Sequence, residues 1–408
     1  MIVKKIDDGE KIEIKSFEKR TGMTAAFSGD ELARLLAWCR AGEPDAFIER
    51  LFDLGIFLRR NVPETREEIL RAVNESAFAP PELEALHIEL TDACPLSCPQ
   101  CYREHDSGAP PREMSVERFA RIAREARHAK IFQIALGGGE PLAHPDILEL
   151  VGVVGATEMS ATLTTSGWGL TRTLLRALID AGLNHMQVSL NGADRETHER
   201  SRDGYDCAMD ALKMLSACGL SFGINWTARR DNLDGFEDVV RLAGNLGAEN
   251  VNVLRYKPTP GEAFASVALN EGETRDLAET IRRGTGRVKI KVDSAYSQLL
   301  CYMHGARAAQ SPCGCAAGRT FFSVAPDGTY KPCSHLDTIG VASSLSGFAA
   351  SAELERFREI RDHPADLCET CRYKAHCGGC AAICRKAHGK DMKENARERR
   401  CIAYAEKI

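Results

Sequence analysis

From residue 85 to about 285, apolar and polar residues alternate in short runs; between those runs the apolar residues recur every three to four positions. The first pattern is that of a half-buried strand, the second that of an amphipathic helix. Strands are expected at 86–90, 132–136, 160–164, 185–190, 221–227 and 250–254. Helices are expected between them at 115–128, 145–153, 171–181, 206–218 and 236–246, with one more at 271–283. Six strands joined by helices imply an α/β fold with a parallel sheet, whose ligands gather at the carboxyl ends of the strands.

The first sixty or so residues have a different grain. Strand-like runs at 1–6 and 11–16 precede helices at 31–40 and 45–51 and a closing strand at 54–58. That order suggests a small α+β, winged-helix-like module at 1–61, acting either as a cap on the next domain or as a dock for a peptide. Residues 62–84 open on Pro63-Glu-Thr, hold one helix at 66–73 and contain Pro80-Pro81, so they read as a linker. The alternating region then fills 85–290, and 291–408 forms a third unit.

Composition narrows the classes. A chain of 408 residues suits two or three domains, and 44% hydrophobic with 27% charged residues suits a soluble one. A net charge of -5 argues against a nucleic-acid partner. The longest apolar run, 148–156, is far too short to span a membrane, and the N-terminus lacks the apolar stretch of a secretion signal. A cytoplasmic location is expected, where the sixteen cysteines would not pair as disulfides. Ten of them lie after residue 300, which points to a metal-binding C-terminal unit.

The chemistry starts at Cys94-Pro-Leu-Ser-Cys98-Pro-Gln-Cys101-Tyr102, directly after the first strand. Three thiolates crowded on one loop suit a soft metal centre. A [4Fe–4S] cube takes four cysteines, so three leave one iron open for a ligand. A zinc knuckle is the alternative, but it wants a fourth ligand nearby. The second strand runs into Gly137-Gly138-Gly139-Glu140, where glycines would let the backbone approach a ligand and Glu140 would accept from a ligand ammonium. The third strand ends at Ser166 and the fourth at Ser189, with Arg202 further on; hydroxyls and an arginine suit a ribose and a carboxylate.

These motifs resemble, in order and spacing over roughly 86–255, the radical S-adenosylmethionine (SAM) superfamily. The resemblance implies a partial (β/α)6 barrel and a SAM-binding [4Fe–4S] cluster on Cys94, Cys98 and Cys101. It assigns Gly138, Gly139 and Glu140 to the methionyl amino group and Ser189 and Arg202 to the SAM carboxylate. Ser166 stands where the family often has asparagine, and Gln100 where it often has an aromatic residue; here Tyr102 follows the third cysteine instead. The C-terminal cysteines resemble a SPASM domain, the cysteine-rich unit that carries two auxiliary [4Fe–4S] clusters, for three clusters in all. By that resemblance Cys368, Cys371, Cys377 and Cys401 hold one auxiliary cluster. Cys315, Cys333 and Cys380 hold the other, its fourth ligand being Cys301, Cys313, Cys384 or substrate. Zinc is the alternative here too, since paired C-x2-C spacing also suits it.

The implied activity is reductive cleavage of SAM to a 5′-deoxyadenosyl radical that abstracts hydrogen from a substrate, with flavodoxin or ferredoxin as electron donor. SPASM proteins mostly modify peptides, so the leading expectation is a maturase that crosslinks or oxidises a ribosomally made precursor peptide. A small molecule such as a tetrapyrrole is the second reading and a sulfatase-type protein the third. A non-catalytic iron–sulfur electron carrier is the reading of another class.

Overall fold

A computed structural model describes residues 1–7, 12–74, 82–103, 110–258, 264–284, 286–304, 315–336, 339, 342–362 and 380–383. At the N-terminus, β1 (Ile2–Asp7), β2 (Ile12–Glu18) and β3 (Met23–Ser28) form an antiparallel sheet in the order β1-β2-β3. Three helices follow: α1 (Gly29–Ala41), α2 (Ala46–Asp53) and α3 (Val62–Asn74). Val3, Ile14 and Phe27 of the sheet share one buried cluster with Leu35, Trp38, Ile48, Phe57 and Ile69.

This differs from the expected strand order in two ways. The third strand is β3 and not 54–58. Ile56 and Phe57 are buried, but their amides bond to the Leu51 carbonyl at the end of α2, and Gly55 turns the chain with φ of 72°. Nor are residues 62–84 a linker throughout: α3 starts at Val62 with Pro63 in its first turn, where a missing N–H costs nothing, and buries Ile69 and Ala72 in the small core. Residues 75–81, Pro80-Pro81 included, lie outside the described residues.

The large sheet has nine strands. Ascending from β4 (Ala85–Glu89) come β5 (Gln133–Gly137), β6 (Ser160–Thr165), β7 (Leu183–Ser189), β8 (Ser221–Ala228), β9 (Asn250–Arg255) and β10 (Lys289–Val292), each parallel to the one before. Helices such as α4 (Val116–His128) and α5 (Ile147–Gly155) make the crossovers. The six expected strands are therefore present, and the sheet extends past both ends. On the other side of β4, β11 (Phe321–Val324) pairs with it in parallel, and β12 (Tyr330–Lys331) closes a hairpin on β11. The C-terminal unit is thus stitched into the barrel sheet rather than standing apart.

Alternation sorts the faces. Leu86, Ile88, Ile134, Leu136, Leu163, Val188, Ile224, Val251 and Val253 are buried and join Phe119, Ile122 and Val151 of the helices in one core. The intervening positions carry a polar row: Gln133 donates to Thr162 (2.8 Å), and Asn250, Asn252 and Asn225 are linked in series at 2.8 and 2.9 Å.

The small sheet docks on the barrel through Phe17, stacked on Phe132 (5.4 Å), and through Lys4, whose Nζ donates to Leu83 O (2.6 Å) and sits over the Phe132 ring. Burial pushes the Lys4 ammonium down from 10.5 to about 8, against the pull of Glu84. Between those values the unfolded chain binds more protons than the folded one, so stability rises with pH. A shift of this size corresponds to about 3 kcal/mol, present as a cost below pH ~8 and relieved towards pH ~10.5. The thermal midpoint of the wild type is expected to climb relative to Lys4→Met across that window. A difference that stays flat with pH would contradict the account.

Candidate active site

The cysteine loop is held at both ends by backbone hydrogen bonds. Leu90 N donates to Gly137 O and Asp92 N to Arg112 O, which carries β4 into the loop beside β5. Farther along, Gln100 N donates to Ser201 O (3.0 Å), and Asp203 N donates to the Cys98 sulfur (3.4 Å). Cys94, Cys98 and Cys101 are all half-buried and form no disulfide. Burial pushes the Cys94 thiol up to about 11, and the charges of Glu140, Cys98 and Cys101 add to it. A thiol that resists ionisation beside two others on one loop is a donor set suited to a cation that absorbs the thiolate charge. Among the described residues no three ligating side chains converge on a single metal-ion position. A cubane does not ask for that, since each thiolate takes its own iron.

The glycines of 137–140 serve the cysteine loop. Gly139 N donates to Thr91 O (2.7 Å) and Glu140 N to Ala93 O (2.8 Å), so these amides are already used by the loop. A Cβ on Gly139 would lie 2.1 Å from Ala93 O, and one on Gly138, at φ 134°, would lie 2.6 Å from Thr91 O. The close approach that demands glycine is therefore backbone against backbone.

Glu140 is 1% exposed and its carboxylate accepts four hydrogen bonds. One oxygen takes the Thr165 hydroxyl (2.7 Å) and Leu142 N (3.1 Å); the other takes Ser166 N (2.8 Å) and the Ser166 hydroxyl (2.6 Å). Burial pushes this carboxyl up and the four donors pull against it. Ser166 gives its hydroxyl proton to Glu140, so its first role is to hold that carboxylate. Ser189 ends β7 and is buried.

Arg202 precedes Asp203, the residue whose amide reaches Cys98, and its Nε is buried with no hydrogen-bond partner among the described residues. An orphaned guanidinium donor beside the cysteine loop fits an incoming carboxylate. His198 supports this segment: its Nδ1 accepts from Asn191 N (3.3 Å), and burial, with Arg202 nearby, drives its pKa down to about 4, so it stays neutral.

Several of these residues were invisible in the sequence. Asn191, fully buried, donates to Ser201 Oγ (2.7 Å) and Gln100 Oε1 (3.1 Å) and accepts from Thr227 N (3.0 Å), tying the ends of β7 and β8 to the loop. Its only signal was its place after the fourth strand. Beyond Cys101 lies a charge cluster. Buried Glu89 pairs with Arg103 (3.4 Å) and with Lys331 of β12 (3.2 Å), while Asp92 pairs with Arg103 and with Arg112 (2.7 Å), which also reaches Asp327 (2.9 Å).

In the C-terminal unit, Cys315, Cys333 and Cys380 come together from three stretches of chain. Cys315 is hydrogen-bonded to Cys380 and feels the charge of Cys333, which in turn feels that of Cys380. The Cys315 bond, with Lys257 and Arg255 nearby, lowers the Cys380 thiol, while Cys315 is pushed up as its partner. Lys257 is itself paired with Asp293 (2.9 Å). Arg255, which ends β9, and Tyr256 after it are buried, Arg255 donating to Ala295 O and Tyr256 stacked on Phe264. Cys301 is buried on the helix Ser297–His304. Cys313, Cys384, Cys368, Cys371, Cys377 and Cys401 lie outside the described residues.

Residues 88–243 match the radical SAM superfamily. Among curated proteins, a PqqA peptide cyclase of Ruegeria pomeroyi is 29% identical over 310 residues, covering 72% of this chain and 82% of its own. An AdoMet-dependent heme synthase of Methanosarcina barkeri is 26% identical over 329 residues, covering 75% of this chain and 93% of its own. Among solved structures, Streptococcus suis SuiB superposes with TM-score 0.68 at 16% identity over 93% of this chain and 94% of that one. The structure of anSMEcpe with bound AdoMet superposes with TM-score 0.60 at 16% identity over 76% and 92%. No described helix is long and apolar enough to cross a membrane. The cysteine loop, the glycine turn packed against it and Arg202 all lie on the segment that matches the radical SAM superfamily.

Proposed function

We propose that this chain is a radical SAM maturase of a precursor peptide, in which the 5′-deoxyadenosyl radical starts a C–C or C–S crosslink or a related oxidation. The observation that carries the reading is the orphaned Arg202 donor beside three cysteines on a loop locked by Gly138 and Gly139. A [4Fe–4S] cluster on Cys94, Cys98 and Cys101 would supply the electron that cleaves bound SAM. Arg202 and Ser189 orient the SAM carboxylate. Glu140, already braced by Thr165 and Ser166, fixes the strand ends around the methionyl group. Cys315, Cys333 and Cys380, and Cys368, Cys371, Cys377 and Cys401, would hold auxiliary clusters, which would supply a sink for the electron of the product radical; flavodoxin or ferredoxin would be the external donor.

The peptide class draws on the PqqA peptide cyclase relatives and on the N-terminal module. The SuiB match leaves too little of this chain uncovered to omit residues 1–74, and SuiB has also been solved bound to the precursor peptide SuiA. Among the described residues β3 pairs with β2 on one edge and with no strand on the other, beside the apolar Phe27–Phe47 pair. Winged-helix-like recognition would then place an extended leader segment along β3. Proline at Ala26 is expected to weaken precursor binding by about tenfold or more while leaving peptide-independent 5′-deoxyadenosine formation unchanged. Equal peptide affinity in the variant would sink this docking mode. The functional test is anaerobic incubation with SAM, reductant and peptides encoded beside the gene, read by mass spectrometry. The heme synthase relative favours a second reading, a tetrapyrrole substrate, and the same assay run with porphyrins decides between them.

A further inference from the structure

One aromatic pair joins the two cysteine sites. Tyr102 follows Cys101 directly, and His335 lies just past Cys333 and Ser334. Their rings meet at 4.0 Å between centroids with a 48° tilt. The Tyr102 hydroxyl is also hydrogen-bonded to Ser334, the neighbour of Cys333. The next residue, Arg103, meets Glu89, which in turn binds Lys331 two residues before Cys333. From Cys101 to Cys333 the protein therefore offers an unbroken path: one residue of main chain, a ring contact or a hydrogen bond, and a residue or two of main chain again.

The composition of the loop fits this use. Gln100 occupies the position before Cys101 and is engaged by Asn191 and the Ser201 carbonyl, on the side of 189–203. The aromatic residue sits on the other side of Cys101, against the C-terminal unit.

We propose that Tyr102 and His335 form the route by which an electron passes between the cysteine-loop cluster and the cluster on Cys315, Cys333 and Cys380. The inference rests on the proposed reading of both sites as clusters. In the step, one electron leaves the reduced cluster and enters the oxidised one; no bond forms or breaks and no proton moves. The electron is supplied from outside by a one-electron reductant.

The test uses the full chain reconstituted with iron and sulfide, without SAM or peptide. Photoreduced deazaflavin delivers less than one electron per chain, and freeze-quench EPR follows its redistribution between the sites. Tyr102→Phe keeps the ring and is expected to match the wild type. Tyr102→Leu and His335→Leu leave a gap where packed rings had touched, and are expected to slow redistribution about tenfold or more. The gap lowers the thermal midpoint, but iron content and the final electron distribution should stay as in the wild type while redistribution slows, which a merely structural role would not predict. Unchanged rates in both leucine variants at full iron content would overturn the route. A wild type that holds only about four irons would overturn it differently, because the C-terminal cluster itself would be missing.

Discussion

Alanine at Cys98 is expected to abolish SAM cleavage, lowering 5′-deoxyadenosine formation by about 10³-fold or more, equivalent to ~4 kcal/mol of barrier. Cys98 is the middle thiol of the loop and the one that receives the Asp203 amide, so no neighbouring group can replace it. Two remaining thiols cannot hold a site-differentiated cube. Iron bound by the C-terminal unit should survive, because Cys315, Cys333 and Cys380 come from other stretches of chain. Iron should thus fall by about four per chain rather than to zero. An electron carrier would tolerate the change in its auxiliary sites and show no SAM cleavage before or after it. Anaerobic iron analysis with a 5′-deoxyadenosine assay separates these cases; a variant that still cleaves SAM would remove Cys94, Cys98 and Cys101 from the proposed site.

The second large effect is expected at Gly139. A Cβ there would overlap Ala93 O at 2.1 Å and Ala93 C at 2.7 Å, and both are backbone atoms that cannot swing aside. Gly139→Ala must therefore push the cysteine loop away from β5, at about 3 kcal/mol of stability. Displacement by about 1 Å is enough to cost roughly 10²-fold in rate. Gly152→Ala is the matched control. Gly152 lies in α5 with nothing within 4 Å of an added Cβ, so alanine there is expected to stabilise by up to about 1 kcal/mol without touching activity. Melting curves and 5′-deoxyadenosine rates for the pair check the argument. Similar behaviour in the two variants would mean that the glycine turn does not position the loop.

What could be read from the chain follows from how local each feature is. The six barrel strands carry β-branched and aliphatic residues in alternation, and the crossover helices carry caps such as Ser115 and Thr171, so both were legible. The cysteine loop is one short segment whose spacing carries its chemistry. β3 was missed because Thr24-Ala25-Ala26 has little strand signal of its own; its pairing with β2 supplies what propensity lacks. α3 was shortened because Pro63 looks like a breaker, although proline is well tolerated in a first turn. β10, β11 and β12 are four, four and two residues long, too short for periodicity to register. Glu140 was singled out, but its partners Thr165 and Ser166 lie at and just past the end of the next strand, and only the β5–β6 pairing brings them together. The same holds for Tyr102 and His335, which are far apart in sequence and meet because β11 pairs with β4.

The most direct test of the central claim is an anaerobic assay of the reconstituted full chain with dithionite, SAM and its candidate precursor peptide. The account predicts about twelve irons per chain, 5′-deoxyadenosine that depends on Cys98, and a peptide product lighter by hydrogen. A chain that binds its iron fully yet forms no 5′-deoxyadenosine, with peptide or with porphyrin, would contradict it.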